Sequence, residues 1–258
     1  MQTGFSLAQL ADPNIAEADK ILRACVHCGF CNATCPTYVL LGDELDSPRG
    51  RIYLIKDMLE HERPATEEVV RHIDRCLSCL ACMTTCPSGV HYMHLVDHAR
   101  AHVEATYRRP LLDRLVREFL ARVMPYPSRF RLAMMAALFG RPFAPLLAAI
   151  GLAPLAAAIR LAPGRAPGPF TQPGVHPAIG TRRARVAVLA GCANEALSPS
   201  ITQATIRVLN RHGVEAVIAP GEGCCGSLAH HMGREHDALD FVRANRSEER
   251  RVGKECRL

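Results

Sequence analysis

The chain has 258 residues, 48% of them hydrophobic and 22% charged, so it contains enough apolar residues for a folded core. Tryptophan is absent, aromatic residues total 5%, and the net charge of +6 is scattered, which argues against a nucleic-acid partner. Twelve cysteines are the unusual feature. The N-terminal residues carry no secretion or twin-arginine signal, so we expect a cytoplasmic, reducing location in which clustered cysteines bind metal.

The first part of the chain has helical periodicity and predicts a helical domain over 1–124. Helices are predicted at 14–24 (capped by Asn14), 51–61, from Thr66 onward, 91–107 and 112–123. Residues 125–184 are rich in proline and alanine and predict a linker with apolar helices. Prolines make this segment a poor membrane span, but its apolar part, 133–162, suits peripheral docking on a bilayer or packing on a partner.

A different pattern begins at residue 185 and predicts a partial parallel α/β domain over 185–245. Apolar runs at 185–191 and 215–220 are typical of strands, and helical patterns at 198–212 and 233–245 follow them. The fold class predicted for the whole chain is therefore α+β with several domains.

Two cysteine runs share one spacing. The first is Cys25-x2-Cys28-x2-Cys31-x3-Cys35-Pro36, and the second is Cys76-x2-Cys79-x2-Cys82-x3-Cys86-Pro87. This spacing is that of bacterial ferredoxins with two [4Fe–4S] clusters, in which the fourth cysteine of each run binds the other cluster. The predicted ligands are Cys25, Cys28, Cys31 and Cys86 for one cluster, and Cys76, Cys79, Cys82 and Cys35 for the other. Zinc, which prefers paired C-x2-C motifs, fits this pattern less well.

Several charged or ring side chains lie near these runs. His27, Arg49, Arg51 and Arg75 either raise the reduction potential of a cluster or are solvated surface charges. His94, His98 and His102 share one side of a predicted helix, where a solvated face is a better interpretation than a zinc site. The clusters imply one-electron transfer, and no residue of the sequence suggests substrate chemistry.

A further cysteine group follows the predicted strands. Cys192 comes after the first strand, and Cys224 and Cys225, flanked by glycines, come after the second. Both positions lie at the carboxyl edge of a parallel sheet, where α/β proteins place their sites. The group predicts a cofactor-binding or redox site, with buried structural thiols as the alternative. Residues 221–226 also fit G-x-G-x-x-G, but two cysteines inside the motif argue against a dinucleotide.

Residues 23–56 and 74–90 closely resemble the iron–sulfur subunit of bacterial glycolate oxidase, and the resemblance resumes at 188–200 and 223–226. The resemblance implies two [4Fe–4S] clusters on the eight ferredoxin-type cysteines. It implies electron transfer from a separate FAD-containing subunit, where glycolate becomes glyoxylate, towards quinone or another acceptor. It also implies that Cys192, Cys224 and Cys225 belong to a cysteine-rich CCG domain that, when complete, can hold an unusual iron–sulfur cluster.

The C-terminal residues depart from this pattern. A further C-x-x-C and a second CCG copy are expected, but the last residues are highly charged and contain only Cys256. We expect 246–258 to be foreign or frame-shifted sequence and the CCG site to be empty. Two alternatives stay open, an equivalent subunit for lactate or glycerol 3-phosphate and a binding module built on zinc. The expected location is cytoplasmic, with peripheral contact to the inner face of the membrane.

Overall fold

The structure is a computed structural model that describes the backbone of residues 1–255 and the side chains of residues 1–246. The chain divides into two units. The first consists of Met1–Leu111 with Ala229–Glu235, and the second consists of Leu112–Leu228 with the chain from His236 onward. Cys256 lies outside the described residues, so the prediction for the C-terminal tail stays a prediction.

The first unit is helical, as predicted. Its helices are α1 (Pro13–Ala24), α2 (Pro36–Leu41), α3 (Pro48–Glu60), α4 (Glu67–Asp74), α5 (Ala81–Thr84) and α6 (Tyr92–Thr106). The predicted cap of α1 was wrong, because the Asp12 side chain accepts the backbone N–H of Asn14 at 2.8 Å. Pro13 occupies the first turn, where its missing N–H costs nothing.

The core of the first unit joins α1, α3, α4 and α6. Fully buried side chains from these four helices pack together, among them Leu22, Ile55, Ile73, Leu95 and Val96. The first turn of α3 lies against the 3-10 turn Glu44–Asp46. Gly50 makes this approach feasible, because a Cβ at this position would overlap the Glu44 carbonyl. Ser47 caps α3 by accepting the Gly50 N–H at 2.9 Å, so the turn and the helix are fixed together.

The second unit contains apolar helices and a small sheet. Its elements are α7 (Leu111–Val123), α8 (Pro127–Gly140), α9 (Ala144–Ala149), α10 (Ala153–Leu161), β1 (Gly174–His176), β2 (Ala184–Ala187), α11 (Cys192–Leu197), α12 (Pro199–Arg211), β3 (Val214–Ile218), α13 (Ser227–His231) and α14 (Glu235–Glu255). The boundary between the units falls inside α13, whose residues from Ala229 onward belong to the first unit.

The sheet of the second unit is mixed. In the described chain its order is β1-β3-β2, with β2 parallel to β3 and β1 antiparallel to β3. The predicted parallel pair is confirmed, whereas β1 was missed because it forms in a segment whose prolines and glycines predict irregular backbone. Ile206 of α12 packs on Ala216 and Ile218 of β3, so one face of the sheet is covered.

The apolar helices of the second unit are poorly buried. The helical stretch Pro127–Ala149 is long and apolar enough to cross a membrane by length and composition, and only 6% of its most apolar window is buried. A 3-10 turn at Arg141–Phe143, with Pro142, separates α8 from α9 inside this stretch. The structure thus has apolar helices in this segment, and its role as a linker stays a prediction.

Candidate metal centres

The first cysteine cavity collects residues from both runs. Cys25, Cys28 and Cys31 line it together with Cys86, the fourth cysteine of the second run, and Cys82 borders it. Cys25 ends α1, so the helix delivers the chain directly into the cavity. The four cysteines that the spacing assigns to one cluster thus line a single cavity, although ligation itself stays a prediction.

The second cysteine cavity has the reciprocal composition. Cys76, Cys79 and Cys82 line it with Cys35 from the first run. Cys35 has an extended backbone and Pro36 starts α2 immediately after it, so the chain leaves the first loop at this point. The two runs therefore exchange their fourth cysteines, which ties them into one structural unit.

Both cysteine loops have the same backbone shape. Left-handed φ angles occur two and four residues after the first cysteine of each run, at His27 (56°), Gly29 (82°), Ser78 (50°) and Leu80 (58°). A left-handed conformation is unfavourable for residues other than glycine and costs about 1–3 kcal/mol. Its repetition at equivalent positions indicates that the loops are shaped to curl around a group, a feature that the cysteine spacing alone did not reveal.

The arrangement fits an iron–sulfur cube better than a zinc ion. We looked for three or more metal-ligating side chains whose donor atoms lie within 4.8 Å of one another. Among the described side chains this holds for Asp43, Asp46 and His72, a group that contains no cysteine. Zn–S bonds of 2.3 Å would bring four sulfurs to about 3.8 Å from one another. More widely spaced thiols suit a larger group such as a [4Fe–4S] cluster.

The cysteine thiols have unequal ionisation. Burial, reinforced by neighbouring thiols, raises the pKa of Cys31 and raises the pKa of Cys82 to about 12. Burial also opposes ionisation of Cys35, but hydrogen bonds from the Thr37 hydroxyl and the Tyr38 N–H, with the charge of Arg51, outweigh it and lower the pKa of Cys35. The surroundings of Cys35 therefore favour its thiolate, whereas those of Cys82 in the same cavity favour the thiol.

A buried polar network stands behind Cys35. Arg51 is 1% exposed and donates from Nε to the His72 carbonyl at 2.6 Å, while its Nη1 lies 3.8 Å from the Cys35 sulfur. Fully buried Asp46 lies 3.4 Å from Arg51 Nη2, 2.7 Å from Arg75 Nη1 and 2.9 Å from His72 Nδ1. These side chains link α3, α4 and the 3-10 turn to the second cavity, and each polar group has a partner.

The other basic side chains singled out in the sequence lie in other surroundings than Arg51 and Arg75. Arg49 borders the first cavity but is one-third exposed and pairs with Glu44 at 2.7 Å. His27 also borders this cavity, and burial lowers its pKa. The solvated face predicted on α6 holds for His94, whereas His98 is half-buried and its Nε2 is a buried atom without a hydrogen-bond partner.

The cysteine-rich site in the second unit contains a thiol pair. The Cys192 and Cys224 sulfurs lie 3.4 Å apart. A hydrogen bond from Cys224 lowers the pKa of Cys192 to about 7, and the same bond, with burial, raises the pKa of Cys224. Cys225 is exposed and its thiol lies 3.2 Å from the Ser227 hydroxyl. The structure thus brings the three predicted residues to one edge of the sheet, with two of them in direct contact.

Backbone contacts fix the loop that carries this pair. Asn245 accepts the Gly223 N–H at 3.0 Å and donates to the Cys224 carbonyl at 2.8 Å. Gly226 has a φ of +84° and passes so close to Ala238 that a Cβ would collide with its carbonyl. These contacts make α14 the support of the cysteine loop, which sequence reasoning missed.

Comparison with known proteins agrees with this arrangement. Residues 21–90 match a 4Fe-4S dicluster domain, and residues 186–256 match a cysteine-rich domain. The chain is 44% identical over 245 residues to the glycolate oxidase iron–sulfur subunit of Escherichia coli K12, covering 95% of this chain and 56% of that protein. It is 32% identical over 235 residues to the probable glycolate oxidase iron–sulfur subunit of Bacillus subtilis 168, covering 87% of this chain and 53% of that protein.

The chain thus spans about half the length of the curated relatives it matches. No solved structure gave a significant match. The predicted resemblance to the iron–sulfur subunit of bacterial glycolate oxidase is confirmed, as is the succession of a ferredoxin-type domain and a cysteine-rich domain.

Proposed function

We propose that this chain, similar to glycolate oxidase iron–sulfur subunits over about half of their length, is an electron-transfer subunit of a glycolate-oxidising complex. The observation that carries the proposal is the exchange of fourth cysteines, which brings the four cysteines assigned to each cluster to one of two adjacent cavities, with Cys82 on the border of both. When bound there, two [4Fe–4S] clusters supply one-electron transfer. The chain's own residues hold the clusters, keep them in neighbouring cavities and surround them with apolar side chains.

The proposed partner is an FAD-containing subunit that oxidises glycolate to glyoxylate, and the proposed acceptor is quinone. Two-electron chemistry at a flavin suits a carrier with two one-electron sites, since each site takes one electron. The names of the relatives favour glycolate over lactate and glycerol 3-phosphate. Assaying the three substrates with the chain co-expressed with its flavin partner tests this choice, and faster oxidation of either alternative would contradict it.

Cluster content is the direct test of the electron-transfer role. Anaerobically purified chain should be brown and contain about eight iron atoms and as much acid-labile sulfide, with paramagnetic signals after reduction by dithionite. Colourless protein that retains zinc and lacks sulfide would instead support the zinc-built binding module. The exchange of fourth cysteines between the two cavities favours the first outcome.

We also propose a cytoplasmic location with peripheral membrane contact through the apolar helices of the second unit. Phe139, Phe143 and Leu146 are 74%, 61% and 61% exposed. Arg129 and Arg141 are exposed on the same segment, and apolar side chains beside arginines are typical of surfaces that bind anionic lipid. The chain should float with phosphatidylglycerol vesicles and not with phosphatidylcholine vesicles, and replacing Phe139 and Phe143 by serine should abolish flotation. Equal recovery of the variant with the vesicles would contradict the proposal.

A further inference from the structure

Hydrogen-bond donors surround the two cysteine cavities unequally. In the second cavity the Tyr92 hydroxyl donates to the Cys76 sulfur at 3.7 Å, and Arg51 Nη1 donates to the Cys35 sulfur at 3.8 Å. The Thr37 hydroxyl lies 3.2 Å from the same Cys35 sulfur. Tyr92 and Arg51 are buried, so bulk water does not compete for these contacts.

The Thr37 hydroxyl has one proton and two acceptors within reach. It lies 2.8 Å from the Asp46 carbonyl as well as 3.2 Å from the Cys35 sulfur. An ionised sulfur is a stronger acceptor than a neutral carbonyl, so the proton turns towards Cys35 once the thiol is deprotonated by a bound cluster. Arg51 Nη2 donates to the Thr37 oxygen at 3.1 Å, which polarises the hydroxyl in the same direction.

The first cavity has a different environment. The Cys31 sulfur lies 3.6 Å from the Asn32 Oδ1 acceptor, just as the Cys35 sulfur lies 3.6 Å from the Asp46 carbonyl, so acceptor oxygens do not distinguish the two cavities. The difference lies in the donors, because the described hydroxyl and guanidinium donors to sulfur are at Cys35 and Cys76 of the second cavity. The N-terminal ammonium donates to the Cys25 carbonyl beside this cavity. Arg49, at the edge of the cavity, is partly exposed and already paired with Glu44. Such a pair is screened by solvent and contributes little net field.

The net charge near the second cavity is positive. Arg51 and Arg75 share the single carboxylate of Asp46, and side-chain exposures are 1% for Arg51 and 0% for Asp46. Arg100 adds a further guanidinium that donates to the Cys76 carbonyl and the Ser78 hydroxyl, both at 2.6 Å, while its own carboxylate partner is Asp97 at 3.8 Å. The field on this cavity comes mainly from Arg51 and Arg100, whose side chains are 1% and 8% exposed. Arg75 is 43% exposed, so solvent screens its charge as it screens that of Arg49.

From this asymmetry we infer that the site of Cys35, Cys76, Cys79 and Cys82 is the higher-potential member of the pair and holds the first electron to enter the chain. Adding an electron makes a cluster more negative, so hydrogen bonds to its sulfurs and nearby positive charge favour the reduced state. Tyr92, Thr37 and Arg51 are then potential-determining residues. The inference rests on the proposed function only in that both sites bind clusters.

A potentiometric titration of the anaerobic full chain, followed by electron paramagnetic resonance, tests the inference. The wild-type chain should show two one-electron steps. The double variant Tyr92→Phe, Thr37→Val removes two hydroxyls with little change of side-chain volume. Thr37→Val also removes an acceptor of Arg51 Nη2, so the iron content and the circular-dichroism spectrum are first matched to those of the wild type, and Tyr92→Phe alone is titrated beside the double variant. The equilibrium constant of the higher-potential step should fall about tenfold, which is 59 mV for a one-electron couple, while the lower-potential step stays where it was.

A matched control uses the same two chemical changes near the first cavity. Tyr53→Phe and Thr34→Val remove hydroxyls that contact no sulfur, since the Thr34 hydroxyl donates to the Cys31 carbonyl at 3.2 Å and Tyr53 is 59% exposed. This control should leave both steps unchanged. A shift of the lower-potential step in the Tyr92 and Thr37 variant, or no shift at all, would overturn the inference while leaving the carrier role intact. Absence of clusters from the wild-type chain would overturn the carrier role itself.

Discussion

The ferredoxin-type unit and the cysteine-rich site differ in how completely the described chain builds them. Each ferredoxin-type cavity receives at least four cysteines, from segments that lie within one helical core. The cysteine-rich site receives a thiol pair, Cys192 and Cys224, and one exposed neighbour, Cys225. The comparison teaches that the number of cysteines in a segment is a weaker sign of a metal centre than the number of cysteines that the backbone brings to one cavity.

The largest expected effect tests the exchange of ligands between the two runs. Cys86→Ala should remove one cluster, about four iron atoms per chain. Adding Cys28→Ala should cause no further loss, because both residues line the same cavity, whereas adding Cys79→Ala should remove nearly all iron. Iron and sulfide analysis of the anaerobic proteins measures the difference.

The control for this series is Cys225→Ala, which we expect to leave the iron content of the ferredoxin-type unit unchanged. If Cys86→Ala combined with Cys79→Ala lost only four irons, each run would hold its own cluster and the exchange would be wrong.

The buried network behind Cys35 should contribute strongly to stability. Arg51→Leu leaves Asp46 buried with reduced compensation, and breaking a buried ion pair in this way costs about 3–5 kcal/mol. Arg49→Leu removes a partly exposed pair and should cost at most about 1 kcal/mol. Denaturant titration of both variants measures the free energies of unfolding, and equal values would show that burial of Arg51 is unimportant.

A smaller difference in stability is expected between two glycine-to-alanine variants, one in each unit. Gly50→Ala places a methyl group against the Glu44 carbonyl and should destabilise the first unit by about 1–3 kcal/mol. Gly140→Ala in α8 meets only Ile159 at 3.6 Å, an ordinary contact, and should be neutral or slightly stabilising. Thermal unfolding of the two variants decides between them, and a stable Gly50→Ala protein would contradict the close approach of α3 and the 3-10 turn.

The smallest effect concerns the chemistry of the thiol pair. Because the pKa of Cys192 is lowered to about 7, its thiolate fraction rises as the pH increases through 7 and then levels off. Alkylation of Cys192 by iodoacetamide should follow this curve, while buried Cys224, whose pKa is raised, should stay unmodified. Peptide mass spectrometry at several pH values measures both, with Cys192→Ser as the blank. Faster labelling of Cys224 would reverse the assignment of the thiolate.

The sequence allowed prediction of those features that depend on local pattern. Cysteine spacing and the prolines at 36 and 87 were enough to predict which residues line each cavity, because the loop is short and its geometry is set by a few residues. Helices with clear periodicity, such as α3 and α12, were predicted close to their observed bounds.

Features that depend on tertiary contacts were missed. β1 pairs with β3 across about 40 residues of chain, and nothing in its three residues marks a strand. The Asn245 contact with the cysteine loop likewise joins segments distant in sequence. Arg51 is an intermediate case, since it lies four residues before Ile55 on the apolar face of α3, and an arginine at a core position signals a buried partner.

Asp46 has a consequence for anyone who wishes to redesign this carrier. One carboxylate serves Arg51, Arg75 and His72, so a change at any of these positions disturbs both the architecture and the local field. Changing the reduction potential of the second site without destabilising the fold therefore requires residues outside this group of four side chains. Tyr92 is such a residue. In the described hydrogen bonds its hydroxyl donates to the Cys76 sulfur and contacts none of Asp46, Arg51, Arg75 and His72.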